Sequence, residues 1–205
     1  MLPSQRISIQ WCQFMRLFTG IALARNVSAS LSVLISEFRS VAPFNWTRAD
    51  NLHITTRFIG EWPEERLPEL TTALESVAVT GPIQISVARF GFFPNPHQPH
   101  SLFAGVQAGP GLTELAGALE AKLQTLGCKP ETRPYRPHVT LARIKRAEAD
   151  GLRAVRERIA AIENPHFGEF AATKFHLYRS TPGAGSSVYT KLATYDLMRE
   201  RNTIS

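Results

Sequence analysis

Two short stretches hold the residue types best suited to chemistry in this chain: "HITT", His53 to Thr56, and "HVTL", His138 to Leu141. Side chains of an extended segment alternate between faces, so His53 shares a face with Thr55 and His138 with Thr140. Ile54 and Val139 then point the other way, into packing. An imidazole, with an ordinary pKa of about 6.5, can take or give a proton near neutral pH. A hydroxyl beside it can donate a hydrogen bond to an oxygen that gains negative charge. Two such pairs brought together would supply a base, an acid and two donors, which is general acid–base catalysis without a metal. Two histidines also fall short of the three or four protein ligands of an ordinary zinc site, and the scheme needs no cofactor.

The spacing predicts that they are brought together. A shift of 85 positions carries His53 onto His138 and Thr55 onto Thr140, and the same shift carries "LFTG" at Leu17–Gly20 onto "LFAG" at Leu102–Gly105. Each copy reads as strand, helix, strand, helix. Arg16 to Leu23 is a β-leaning apolar run, and from Ser28 the residues Leu31, Leu34, Ile35 and Phe38 follow the period of an amphipathic helix. Leu52 to Phe58 reads as the first histidine strand, with a helix after it on Leu67, Leu70, Leu74 and Val77. The second copy runs through a strand at Leu102–Gln107 and a helix on Leu112, Leu115, Ala116, Leu119, Leu123 and Leu126, closed by Gly127. The strand "HVTLAR" follows, then a helix on Leu152, Val155, Ile159 and Ile162. Further strands are expected at Ile83–Phe90, Phe167–Ser180 and Ser187–Leu197, the last after a "TPGAG" turn.

This pattern predicts an α+β fold. Two pseudo-symmetric lobes, built from a duplicated β-α-β-α unit, would line a central cleft with antiparallel sheets and carry their helices outside. A pseudo-twofold axis would set His53 facing His138 across that cleft.

Composition is consistent with such a domain. The 205 residues, 43% of them apolar, can bury a substantial core. The 23 basic against 17 acidic residues give a net charge of +6, which favours an anionic partner. Cys12 and Cys128 form no disulfide framework and no metal cluster, which fits a reducing, cytoplasmic setting. No apolar run approaches the roughly 20 residues needed to span a bilayer, so no membrane partner is expected. Arg16–Ala24 could pass as a short secretory core, but "LFTGIAL" belongs to a repeated strand and is read as part of the fold. Residues 1–14 have no counterpart in the other half and read as an extension; residues 15–205 read as one bilobal, monomeric domain.

With these motifs in view, the chain resembles the two-histidine phosphoesterases, and among them the bacterial and archaeal RNA 2′,3′-cyclic phosphodiesterases once called 2′-5′ RNA ligases. The resemblance rests on "MRLFTGIAL", "NLHITTRFIGE", "LFAGV", "RPHVTLAR" and "FHLYRS", and covers Met15 to about Leu197. It implies hydrolysis of 2′,3′-cyclic phosphate ends on RNA, or of small cyclic nucleotides, with 2′-5′ ligation as a reverse reaction. His138 would act as base on water and His53 as acid, leaving a 2′-phosphate, while Thr55 and Thr140 hold the phosphate oxygens. Where the family usually has Leu, this chain has Thr56, on the packing face; Phe103 stands where relatives often carry Trp. A nucleotide-binding module of the same fold without activity is the alternative reading.

Two arginines complete the candidates for substrate binding. Arg57 lies four residues after its histidine and Arg143 five, so regular alternation puts Arg57 on the imidazole face and Arg143 on the opposite one; the resemblance nevertheless implies Arg143 near the RNA. His97 and His100, among three prolines, read as a loop rather than a metal site. His166 and His176 have no repeat partner and are not expected to be catalytic. Tyr178 and the phenylalanines of "RFGFF" could stack on a base, although packing accounts for most such residues.

Overall fold

The computed structural model describes residues 13–77, 81–144, 149–183 and 186–197. Its strands are β1 (Phe14–Ala22), β2 (Asn45–Trp46), β3 (His53–Pro63), β4 (Ile83–Phe93), β5 (Ser101–Ala108), β6 (His138–Arg143), β7 (His166–Ala172), β8 (Lys174–Thr181) and β9 (Val188–Asp196). Its helices are α1 (Arg25–Arg39), α2 (Leu67–Glu75), α3 (Pro110–Thr125) and α4 (Ala149–Ala160). The shift of 85 superposes β1 on β5, α1 on α3, β3 on β6 and α2 on α4 to within a few residues at their starts. The expected order is therefore present twice.

Helix ends follow the sequence. α3 opens on Pro110 and closes in a left-handed turn at Gly127, with φ of +89°. There the Gly127 amide donates to the Gln124 carbonyl and the Cys128 amide to that of Leu123, which satisfies two carbonyls the helix would otherwise leave open. The predicted apolar stripes are buried, Leu31, Leu34, Ile35 and Phe38 on α1 and Leu112, Leu115, Ala116, Leu119 and Leu123 on α3, with Val27 joining the first and Leu126, past the end of α3, only partly buried.

The strands form one curled antiparallel sheet in the order β7-β4-β5-β6-β3-β1-β8-β9, with β2 pairing beside β6. Among the described residues its two halves are joined by one pair, Ile54 with Val139. These positions differ by the same 85, so the seam lies on the pseudo-twofold axis. The halves are not consecutive stretches of chain: β8 and β9, from the C-terminal end, complete the half that contains β1 and β3. The helices interleave them further. α1 lies against β7, with Phe38 packing on Phe90 of β4, while α3 lies against β3. The core fills the space between the helices and the sheet face bearing Leu17, Ile21, Ile54, Leu102 and Val139.

Two boundaries differ from the sequence reading. β1 begins at Phe14, opposite Pro63, and the Gln13 carbonyl accepts from the Glu64 amide, so the chain is tied into the sheet before Met15. The expected extension otherwise lies outside the described residues, as do Ala184 and Gly185 of the "TPGAG" turn. The single strand expected over Phe167–Ser180 is two strands, β7 and β8, which belong to opposite halves of the sheet, β7 at one edge and β8 between β1 and β9.

Candidate active site

The Ile54–Val139 pair positions the site. Antiparallel geometry around it sets residue 53 across from residue 140 and residue 55 across from residue 138. Because Ile54 and Val139 are wholly buried toward the helices, His53, Thr55, His138 and Thr140 all point to the other face, into the cleft.

Each imidazole is fixed in the same way. His53 Nδ1 lies 2.7 Å from the Asn51 carbonyl, and His138 Nδ1 lies 2.7 Å from the Arg136 carbonyl, its counterpart 85 positions on. A carbonyl can only accept, so both Nδ1 atoms carry hydrogen, and the neutral rings present Nε2 as the free base. In His53 that nitrogen accepts from the Thr55 hydroxyl at 2.9 Å. Tyr135 donates to the Thr55 carbonyl at 3.1 Å, pinning the loop before β6 onto β3. The sequence offered no sign of Asn51, Arg136 or Tyr135, because a backbone carbonyl acceptor leaves no mark on residue type.

The repeated "LFxG" has a physical reason. Phe18 packs against His53 with ring centroids 4.9 Å apart, and its counterpart Phe103 packs against His138 at 5.3 Å. Tyr178 and Tyr189 complete the wall beside His53, and Phe93 the wall beside His138. Both glycines stand where a Cβ has no room: at Gly20 it would lie 2.8 Å from the Ile54 carbonyl oxygen and 3.2 Å from His53 Cδ2, and at Gly105 2.8 Å from the Ala88 carbonyl oxygen.

These surroundings depress the basicity of both imidazoles. Burial pushes His53 down to about 4, helped by the charge of Arg143 and by His138 itself, against the raising effect of the Asn51 bond. His138 is lowered by burial and by Arg143. His176, on the cleft face opposite Gly20, is also brought down to about 4 by burial and by Lys191 and Lys174. It bonds to the Thr194 hydroxyl at 3.0 Å and faces Lys191 Nζ at 3.4 Å, and so supports the wall under Tyr178.

The two arginines reverse their expected faces, and β-bulges are the cause. On β3 Thr55 pairs with Gly20 and Arg57 with Thr19, which leaves Thr56 as an extra residue. Arg57 therefore lies on the helix side, ion-paired with Glu120 of α3 and donating to the Lys129 carbonyl at 2.6 Å. On β6 Thr140 pairs with Phe103 and Ala142 with Leu102, which leaves Leu141 extra. That bulge returns Arg143 to the cleft face. Thr56 and Leu141 are equivalent by the shift of 85, so both halves bulge at one place. Thr56 is buried and donates to the Thr19 hydroxyl at 2.8 Å; the second half replaces this polar pair by Leu141 and Ala104. The counterpart of Arg143 is then Phe58, half exposed at 50%.

The remaining histidines lie elsewhere. His97 and His100 occupy the loop between β4 and β5, where the His97 amide donates to Asn95 Oδ1 and the His100 amide to the Phe93 carbonyl. His166 begins β7 near Ser86 and Glu169.

Comparison with known proteins matches the model of the family described as LigT like Phosphoesterase twice, over residues 21–103 and 105–189, one match to each repeat. The chain is 32% identical to the RNA 2′,3′-cyclic phosphodiesterase of Methanocaldococcus jannaschii over 85% of this chain and 96% of that one. To the Archaeoglobus fulgidus protein of the same name it is 29% identical over 89% and 100%. The crystal structure of Escherichia coli LigT complexed with 3′-AMP superposes with a TM-score of 0.71 at 25% identity, covering 91% of this chain and all of that one. A crystal structure from Thermus thermophilus does so at 0.73 and 28%, covering 89% of this chain and 98% of that one.

Proposed function

The chain belongs to the LigT-like phosphoesterases, and from that membership and the geometry of the cleft we propose that it hydrolyses 2′,3′-cyclic phosphodiesters at RNA or nucleotide ends, with His53 and His138 as its acid and base. The observation that carries the reading is the matched pair of tethered imidazoles. Each Nδ1 is held by a carbonyl two residues upstream, and each Nε2 is offered to one cleft from opposite sides of a pseudo-axis.

A phosphate seated on that axis lies between the two Nε2 atoms. His138 takes a proton from water as its oxygen bonds to phosphorus; the bond from phosphorus to the ribose 3′ oxygen breaks, and His53 delivers the proton to that oxygen. The product keeps a 2′-phosphate and gains a 3′-hydroxyl. Thr55, Thr140 and Arg143 donate to the non-bridging oxygens, whose charge grows in the transition state. To do so Thr55 turns its hydroxyl from His53 Nε2 to phosphate. The negative substrate raises the basicity of the imidazole it approaches, so the acid is charged as substrate binds.

The test is turnover of a cyclic-phosphate-ended oligoribonucleotide and of a 2′,3′-cyclic mononucleotide in excess EDTA, with phosphorus NMR of the product. Hydrolysis to a 2′-phosphate, lowered on the order of 10² to 10⁴ by His53→Ala or His138→Ala, is expected. A 3′-phosphate overturns the acid and base assignment. Inhibition by EDTA that a divalent ion reverses overturns the two-histidine mechanism.

A further inference from the structure

We propose that the half-sheet carrying His53 continues beyond the cleft as a track for single-stranded RNA upstream of the reacting end, formed by Phe14, Arg16 and Phe58. The inference rests on the preceding reading of the cleft, and makes the favoured substrate an oligonucleotide rather than a mononucleotide.

β1 pairs with β8 without irregularity from Arg16 to Gly20, so its alternation is unbroken and Phe14, Arg16, Phe18 and Gly20 lie in one row on the cleft face. The row runs from Gly20, beneath the imidazole of His53, outward to Phe14 over about 20 Å. Nearest the site the rings are covered: Phe18 is 3% exposed, against His53 and Tyr178. The rings beside and beyond it are bare: Phe58, opposite Phe18 on β3, is 50% exposed, and Phe14, at the outer end of the row, is 57% exposed. Arg16 stands in the row between Phe14 and Phe18 and opens onto a pocket of about 390 Å³ whose walls also include Glu61, Arg179 and Ser180.

Ring, guanidinium, ring is the order in which a single strand presents base, phosphate, base, and aromatic faces with interleaved cations bind such strands without base preference. An acidic peptide would engage Arg16 but leave the rings unmatched. Glu61, opposite Arg16, does not suit a second phosphate; its carboxylate can accept from a ribose hydroxyl, which favours RNA over DNA. The pseudo-symmetric position sharpens the point. Where the second half places Arg143 in the cleft, the first places the bare ring of Phe58, so the strand has one preferred way out.

The experiment compares a 2′,3′-cyclic mononucleotide with di-, tri- and tetraribonucleotides ending in the same cyclic phosphate, together with anisotropy binding of a labelled tetraribonucleotide ending in a 3′-phosphate. kcat/KM is expected to rise with length and level off by the trinucleotide. Phe14→Ala and Arg16→Ala, both at exposed positions, should weaken tetranucleotide binding about fivefold or more and remove the gain with length, while mononucleotide kcat/KM stays within about twofold. Arg16→Ala should also reduce the slope of log Kd against log salt by about 0.7. A gain absent in the unaltered protein, or unmoved by both substitutions, overturns the track. Failure to turn over any cyclic phosphate, with oligonucleotide binding still lost in both variants, overturns the catalytic reading instead and leaves the track standing.

Discussion

His53 and His138 begin neutral in the free protein, because burial and the Arg143 charge hold both below the ordinary imidazole value. Composition alone places the pH optimum of a histidine pair near neutrality, and the structure moves it. In the proposed acid–base mechanism one ring is charged and the other neutral, so kcat/KM, which reports the free enzyme, should peak on the acid side, between about 4 and 6.5. kcat reports the complex, where the bound phosphate favours the imidazolium, and should peak at higher pH. The two limbs belong to the coupled pair rather than to one residue. Steady-state profiles from pH 4 to 9 check this; coincident optima at or above neutrality would show that burial does not control the pair.

At the scale of the strand, one inserted residue decides which arginine reaches the cleft. Arg143→Ala should cost about 1.5 to 3 kcal/mol of transition-state stabilisation, the worth of a hydrogen bond to a charged group, or roughly 10- to 150-fold in turnover. Arg57→Ala breaks the Glu120 pair on the helix side and should lower the melting temperature while leaving turnover within a few-fold. Turnover and melting measured on both variants separate the roles; the reverse pattern would mean the bulges do not set the faces. The same residues mark what could be read in the sequence. Apolar periods and the offset of 85 located all four repeated elements, and the paired "HxT" located the imidazoles. Alternation misplaced both arginines because a bulge is a fact of pairing: Thr56 and Leu141 look like ordinary strand residues until Thr19 and Leu102 are known to lie beside them. Phe58 is illegible in the sequence for the same reason, because its equivalence to Arg143 on the cleft face depends on the paired bulges.

The whole molecule inherits an acid weakness from its interior. His53, His138 and His176 are all less basic folded than unfolded. Above the unfolded value of about 6.5 all are neutral in both states and nothing is lost. Below it the unfolded chain binds protons that the fold resists, so stability falls as the pH drops toward about 4. His53, lowered from 6.5 to about 4, accounts for about 3 kcal/mol of this at most, at 1.36 kcal/mol per unit. Denaturant melts at pH 7 and pH 4.5 should show a smaller loss for His53→Gln than for the unaltered protein; an equal loss would place the weakness elsewhere.

The return of β8 and β9 to the half begun by β1 sets a timetable for the newborn chain. About 150 residues separate Ala22 from Lys174, and a ribosome adding 5 to 20 residues per second needs roughly 8 to 30 s to deliver them. Throughout that interval the side of β1 that will bond to β8 has no partner strand, and an open strand edge is a template for any other extended chain. A ribosome halted between residues 143 and 174 therefore leaves a product with both histidine strands already made and the β8 side of β1 unpaired, a form that chaperones would be expected to hold until the last two strands arrive.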